Sequence, residues 1–382
     1  MDITILMPCL NEAETLALCI NKAKRWLKKS KLKGEILIAD NGSIDGSQSI
    51  AKKLGARVVL VSEKGYGSAL YFGAVAAKGD WIVMGDSDNS YDFSRLDLFV
   101  AALKKGADLV MGNRFLGGIE EGAMPWKNRY IGNPILTFIG RLLFNCPSRD
   151  FHCGLRGVNK KAFMKMDLRT TGMEFASEMV IKSNLLGMKI IEVPTTLWKD
   201  GRNRPPHLRP WRDGWRHLRF MLLFSPRWLF LYPGLLIFIL SGIGYFSLLS
   251  GPLSIGNVEF NYNSLFIFQS GTLIGFLFLI FAVLVRIVGV KEGLLPQHNL
   301  IEKLRNSSML EIGSFSGVAI FILGLIYALK AVNQWGDVGF TSIPDMSLLR
   351  LVSLSTFMMI IGSLLFLFSL AIGFLSLPTR RN

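Results

Sequence analysis

The chain has 382 residues, 50% of them hydrophobic, and 43 Lys and Arg against 28 Asp and Glu give it a formal charge of +15. The apolar residues are spread unevenly, which excludes a lone soluble domain: residues 1 to about 220 read as an α/β protein, and the remainder is dominated by long apolar runs. The basic surplus concentrates between Lys199 and Arg227, directly ahead of the first long run. That placement favours anionic lipid and phosphorylated substrates over nucleic acid, for which no aromatic-basic signature is present.

In chain order, residues 3–7 are a strand, too short and without the basic leader a signal peptide needs. β-rich runs at 35–39, 58–61, 81–84 and 109–111 then alternate with helical patterns at 15–28, 47–54, 68–77 and 95–104. Such alternation predicts a mostly parallel sheet covered by helices on both faces, with ligands beyond the carboxyl ends of the strands. Polar residues fall at those ends: Pro8-Cys9-Leu10-Asn11-Glu12, then Asp40-Asn41-Gly42-Ser43-Ile44-Asp45-Gly46, then Glu63-Lys64-Gly65-Tyr66-Gly67-Ser68, then Asp86 and Asp88. In extended backbone, residues two apart point the same way. Asp86 and Asp88 can therefore present oxygens to one hard divalent cation, Mg2+ or Mn2+, shared with a phosphate. Gly65-x-Gly67 lacks the third glycine of a dinucleotide fingerprint and no G-K-[ST] P-loop exists, which disfavours nicotinamide and P-loop chemistry. The four cysteines show no C-x-x-C spacing and suit a reducing compartment.

Pro8-x-x-Asn11-Glu12, the run from Asp40 to Gly46, Lys64-Gly65-x-Gly67-x-Ala69 and Asp86-x-Asp88 together resemble the ordered motifs of family 2 glycosyltransferases with the GT-A fold. Within that family the chain most resembles the polyprenyl-phosphate sugar synthases of the dolichyl-phosphate mannose and glucose type, over roughly residues 1–225. The resemblance implies that Glu12 and Asp40 hold the ribose and base of a nucleotide-sugar, with Pro8, Asn11, Lys64 and Gly65 bordering it. The second position of the usual acidic pair is Asn41 here, so Asp40 must act alone. By the same resemblance Arg114 and Arg129 contact the phosphate of the lipid acceptor. Asp150, in Ser148-Arg149-Asp150-Phe151-His152-Cys153-Gly154-Leu155-Arg156, is the acid nearest the reacting phosphate, and Arg156 a further phosphate or structural partner. His152 and Cys153 lack a second ligand pair for zinc. Glu174 and Glu178, four apart on a helical pattern, either line the donor-sugar side or sit favourably in a first helical turn.

Amphipathic stretches at 133–146 and 213–224 fit helices lying in the headgroup plane. Runs at 228–249, 264–285, 312–332 and 351–377 are each long enough to span a bilayer, which takes roughly 20 residues. The division expected is therefore a catalytic domain over 1–225 and a membrane domain over 226–382. The first connection has no Lys or Arg, whereas the second carries Arg286, Lys291, Lys303 and Arg305 and the tail Arg380 and Arg381. That asymmetry puts both termini on the cytoplasmic side of the plasma (inner) membrane.

The expected activity is inverting transfer of a hexose from a nucleotide-sugar to polyprenyl phosphate at the bilayer, with UDP-glucose preferred as donor and GDP-mannose the alternative. A processive polysaccharide synthase would carry a Q-x-x-R-W segment, which is missing. A non-catalytic nucleotide-sugar binder serving a flippase is the rival from another class.

Overall fold

The computed structural model describes residues 1–202, 210–295, 307–341 and 346–377. Two compact units divide the chain, Met1–Phe224 and Ser225–Asn382.

The first unit is built on a seven-stranded sheet. Its strands are β1 (Ile3–Cys9), β2 (Gly34–Asp40), β3 (Arg57–Leu60), β4 (Trp81–Met84), β5 (Leu109–Asn113), β6 (Arg156–Asn159) and β7 (Ile190–Pro194), in the order β3-β2-β1-β4-β6-β5-β7. Only β6 runs antiparallel to its neighbours, β4 and β5. The sequence R-G-V-N is too short to reveal that strand by periodicity; it forms because β4 and β5 leave a gap for it. β1 is buried along its whole length and reads as a continuous apolar run, as a strand covered on both faces must. Pro8 lies inside this central strand without cost. β4 pairs β1 only as far as Leu6↔Met84, so the missing N–H of Pro8 faces beyond the end of β4, where its carbonyl accepts the Ser87 hydroxyl at 2.7 Å.

The helices are α1 (Leu16–Ser30), α2 (Ser47–Lys53), α3 (Tyr66–Ala76), α4 (Asp97–Lys104), a short turn α5 (Arg114–Gly117), α6 (Asn133–Phe144), α7 (Lys160–Met166), α8 (Phe175–Leu185) and α9 (Pro210–Leu223). α3 starts two residues earlier than its pattern suggests. Gly65, at φ +136°, makes the turn that only glycine adopts readily, and a side chain there would strike the Thr171 carbonyl. Leu16, Ile20 and Trp26 of α1 and Phe99 and Leu103 of α4 close the core over β1, β2 and β4.

A π-helical turn at Asn128–Gly132 leads into α6, which packs on α8 and α9. α6 buries Thr137, Gly140 and Phe144 and exposes Ile135, Phe138 and Leu142. In α9 and the residue after it, His217, Phe220, Met221 and Phe224 form the buried stripe, at i, i+3, i+4 and i+7, while Trp215 and Leu223 are exposed.

Among the described residues of the second unit, four helices are long and apolar enough to cross a membrane: Arg227–Leu249, Tyr262–Lys291, Leu310–Asp337 and Ser347–Ser376. They belong to α10 (Tyr232–Leu249, entered by a π-helical turn), α11 (Tyr262–Lys291), α12 (Ser307–Asp337) and α13 (Met346–Ser376). The connection between the first two folds into a small hairpin, Leu253–Ile255 against Val258–Phe260, turned at Gly256. α12 and α13 pack closely because Gly317, Gly324 and Gly362 lie against the opposing backbone. α11 meets α13 through polar groups: the Gln269 amide donates to the Ser353 carbonyl and the Thr356 hydroxyl, and Ser353 donates to Gln269 Oε1. Lys303, Arg305, Arg380 and Arg381, on which part of the orientation argument rests, lie outside the described residues.

Candidate active site

The carboxyl ends of β1, β2 and β4 and the loop before α3 converge on one edge of the first unit. After β1, Asn11 takes a left-handed conformation (φ 58°), which asparagine tolerates, and locks onto the next loop. Its N–H donates to Ser43 Oγ, and its Oδ1 accepts the Ile44 N–H. Glu12 follows, buried, with its N–H on Ser47 Oγ and its Oε1 2.9 Å from Arg202 Nη1.

Asp40, at the end of β2, is 1% exposed. Its Oδ2 accepts the N–H groups of Gly42 and Ser43 and the Gln48 amide, whereas its Oδ1 is buried with no partner among the described residues. A buried carboxylate oxygen left without a donor is costly, and a nucleotide's N–H or O–H groups supply what it lacks. Asn41 is a staple: its amide donates to the Val61 and Glu63 carbonyls and its Oδ1 accepts the Gly65 N–H. An aspartate there has no hydrogens to donate, which accounts for the departure from the usual acidic pair. Lys64 lays its ammonium on the Asn41 carbonyl, against Gly42.

Asp86 and Asp88 leave β4. Tyr66 donates to Asp86 Oδ1 at 2.9 Å, and Gly154 lies so close to Asp86 Oδ2 that a side chain there would clash. Burial, then the neighbouring Asp88 charge, pushes the Asp86 carboxyl up to about 7, against the pull of Tyr66, Arg202 and Arg156. Asp88 Oδ1 accepts the Ser90 N–H and hydroxyl, while Oδ2 lies 3.0 Å from Arg202 Nη2. Arg202 also pairs with Asp200, so one guanidinium bridges Glu12, Asp88 and Asp200. These residues fit a hard divalent ion: oxygen donors only, a carboxylate whose charge is poorly compensated, and a guanidinium cation already drawn to its neighbour. Among the described residues no group of three or more His, Cys, Asp or Glu gathers around a point, so two carboxylates would hold such an ion and substrate oxygens or water complete it. Asp92 is occupied by Ser94 and faces Lys22 and Arg95.

On the far side of β4, Asp150 is fully buried and accepts three N–H groups of Arg114: backbone N at 3.0 Å, Nε at 2.8 Å and Nη2 at 2.7 Å. Glu192 of β7 holds the same loop by accepting the Ser148 hydroxyl and the Arg149 and Asp150 N–H groups, and it takes the Asn113 amide as well. Arg129, in the π-helical turn, lies over the Tyr130 ring at 5.4 Å. Arg156 is 3% exposed and its guanidinium donates to the Phe151, Cys153 and Ala176 carbonyls, which ties the loop before β6 to α8. Glu178 accepts from the Arg169 and Thr170 N–H groups and the Thr170 hydroxyl, and pairs with Lys182 at 2.8 Å.

Sequence reasoning missed Tyr66, Glu192 and Arg202. Tyr66 stands between two glycines already under scrutiny. Arg202 was one of many in a basic run, and Glu192 interrupts an apolar strand, an anomaly that signals a buried partner.

Residues 4–167 match the family described as glycosyl transferase family 2, and residues 283–376 the glycosyltransferase family 2 C-terminal transmembrane region. The low-salt glycan biosynthesis hexosyltransferase Agl6 of Haloferax volcanii is 34% identical over 348 residues, 90% of this chain and 82% of that protein. A dolichyl-phosphate hexose transferase of the same organism is 28% identical over 194 residues, 50% of this chain and 81% of that protein. Among solved structures, glucosyl-3-phosphoglycerate synthase from Mycobacterium tuberculosis, in complex with Mn2+, UDP and glucosyl-3-phosphoglycerate, is 22% identical; the match covers 58% of this chain and 77% of that one, with a TM-score of 0.45. Motifs, sheet and full-length similarity agree: the chain belongs to glycosyltransferase family 2, as a GT-A transferase domain followed by that family's C-terminal transmembrane region.

Proposed function

We propose that the protein transfers a hexose, with inversion, from a nucleotide diphosphate sugar to a polyprenyl phosphate, and that UDP-glucose is the donor. One observation carries the reading: Glu12, Asp40, Asp86 and Asp88 gather at the strand ends with an unpartnered carboxylate oxygen on Asp40 and a guanidinium bridging Glu12 to Asp88. Such an edge suits a ligand that brings hydroxyls and N–H groups to one end and diphosphate with a cation to the other. The hexose and the lipid acceptor draw support from the two Haloferax relatives, named as a hexosyltransferase and a dolichyl-phosphate hexose transferase.

In this reading Asp40 Oδ1 and Glu12 accept from the base and ribose, and Pro8, Asn11, Lys64 and Gly65 shape the wall around them. Asp86 and Asp88 would hold Mg2+ or Mn2+, which would supply charge neutralisation for the departing nucleotide. Tyr66 keeps Asp86 oriented, and Arg202 must release Asp88 before a second cation can use it. Arg114 and Arg129 place the acceptor phosphate, and Asp150 fixes Arg114 through its three hydrogen bonds. A phosphomonoester with a second pKa of about 6 is already anionic at neutral pH, so Asp150 orients and need not deprotonate. The exposed Ile135, Phe138 and Leu142 of α6 and Trp215 of α9 rest in the headgroup layer of the bilayer, with the catalytic unit and both termini cytoplasmic.

The test is to incubate the full-length protein in membranes with labelled UDP-glucose, GDP-mannose and other nucleotide-sugars, polyprenyl phosphate and Mg2+ or Mn2+. A lipid-extractable, metal-dependent monosaccharide product from UDP-glucose is expected. The same product from GDP-mannose alone would reassign the donor, and nucleotide-sugar binding with no transfer in any mixture would leave only the binder serving a flippase.

A further inference from the structure

The loop Asp150 to Gly154 is gripped from three directions, and the third has no part in the activity proposed above. Glu192 and Arg114 hold Asp150. On the next side, Gly154 N–H donates to the Tyr91 hydroxyl at 2.8 Å and packs against Asp86. On the third, His152 faces α8 and α9. Its Nε2 is 3.5 Å from Ser177 Oγ, and that hydroxyl, fully buried, is 2.9 Å from His217 Nδ1. The two imidazoles meet edge to face with centroids 4.5 Å apart.

His217 occupies the first position of the buried stripe of α9, where a leucine would satisfy packing alone. A histidine pair sharing one serine hydroxyl demands a fixed geometry in return for burying polar nitrogens, and His152 Nδ1 is shielded without a partner among the described residues. The neighbouring contact is equally exacting. Phe151 is wedged against Gly140 of α6 with Met221 of α9 alongside, so that a Cβ on Gly140 would lie 2.8 Å from the ring and 3.2 Å from the Met221 sulfur. Both amphipathic helices thus converge on two consecutive residues, Phe151 and His152, next to Asp150.

Burial and the nearby His217, Arg114 and Arg156 hold the basicity of His152 well below the ordinary imidazole value. The ring is therefore neutral at physiological pH and acts by shape and hydrogen bonding.

We propose that His152, Ser177 and His217 form a latch through which α9, together with α6, sets the position of Asp150 and Arg114, making His217 and Ser177 positioning residues for use of the lipid acceptor. The proposal rests on the reading of Arg114 and Asp150 as the acceptor side. Its consequence is that seating the two helices on a bilayer adjusts the acceptor groups while leaving the strand ends that bear Glu12 and Asp40 untouched.

The experiment uses the full-length protein in lipid nanodiscs containing anionic lipid, with polyprenyl phosphate as acceptor and whichever labelled nucleotide-sugar the wild type turns over. His217→Ala and Ser177→Ala are expected to raise the acceptor KM about tenfold with the donor KM unchanged, the size expected for a small misplacement of a binding group. His217→Asn, whose side-chain amide can replace the Nδ1 contact, is expected to recover most of the loss. Equal changes in both KM values, or none, would overturn the latch. A second measurement does not depend on turnover: amide hydrogen exchange in residues 148–156 is expected to quicken in His217→Ala and return in His217→Asn, with residues 34–40 unaffected. Unchanged exchange in 148–156 refutes the latch even if transfer is found. Absence of transfer from every donor in the wild type refutes the proposed activity, while the exchange result still decides the latch.

Discussion

Asp86 and Asp88 share a small, partly buried volume, and two carboxylates there make the charge on Asp86 expensive. A carboxyl whose folded value is raised from about 3.9 in the unfolded chain destabilises the fold progressively as pH climbs between the two values. In the metal-free protein that window ends near the raised value of about 7. The melting temperature of the wild type is therefore expected to fall between pH 4 and pH 7 relative to Asp86→Asn, and stabilisation by Mn2+ to be larger at pH 8 than at pH 5; parallel melting curves for the two proteins would contradict this. Asp86→Ala or Asp88→Ala should lower transfer by about a hundredfold or more while the protein stays folded and membrane-bound, measured as labelled lipid product. Full activity in EDTA would remove the metal from the account. Asn41 makes a separate prediction. Asn41→Asp turns two donated hydrogen bonds into carboxylate–carbonyl repulsion, which should cost about 1–3 kcal/mol in thermal or denaturant unfolding.

At the scale of elements, α6 and α9 are fastened to the loop that follows Asp150 by a contact with no spare room. Gly140→Leu would force Phe151 and Met221 apart and is expected to cost about 1–3 kcal/mol, read as a lower unfolding midpoint. In the membrane unit, Gln269 joins α11 to α13 through hydrogen bonds to Ser353 and Thr356. Gln269→Leu should weaken that pairing by about 0.6–2 kcal/mol, seen as earlier dissociation or unfolding in detergent titrations. The contrast with α12 and α13 is instructive: there, close backbone approach at Gly317, Gly324 and Gly362 does the work that hydrogen bonds do at the other seam.

For the whole molecule, the core of the first unit is complete within itself, running from Ile3 to Leu197. A chain ending at Phe224 is therefore expected to fold and to bind nucleotide-sugar, detectable as a ligand-dependent rise in melting temperature. Its membrane association should be weaker and more salt-sensitive than that of the four-helix integral protein, because only the exposed faces of α6 and α9 and the basic run remain to hold it. Retained transfer by that chain in detergent would show that the spans are dispensable for chemistry.

The α/β alternation, the order of the polar strand ends and the four apolar runs were all legible in the residues, because period-2 and continuous apolar patterns and chain-local motifs are properties of short segments. Membership of the family followed from motifs in a fixed order. What local patterns could not hold is who meets whom across the chain. The antiparallel β6 exists only because two other strands flank it. The fates of Arg156 and Glu178 depend on carbonyls and N–H groups brought from loops that the spacing of charged residues does not reveal. Arg202 reaches Glu12 across 190 positions of sequence, and His217 reaches Ser177 across 40. Sequence by itself determined the kind of chain this is and the polar loops that end its strands. Tertiary structure alone decided which charges are already compensated and which remain for a ligand, since burial and long-range pairing set the cost of every charge at that edge.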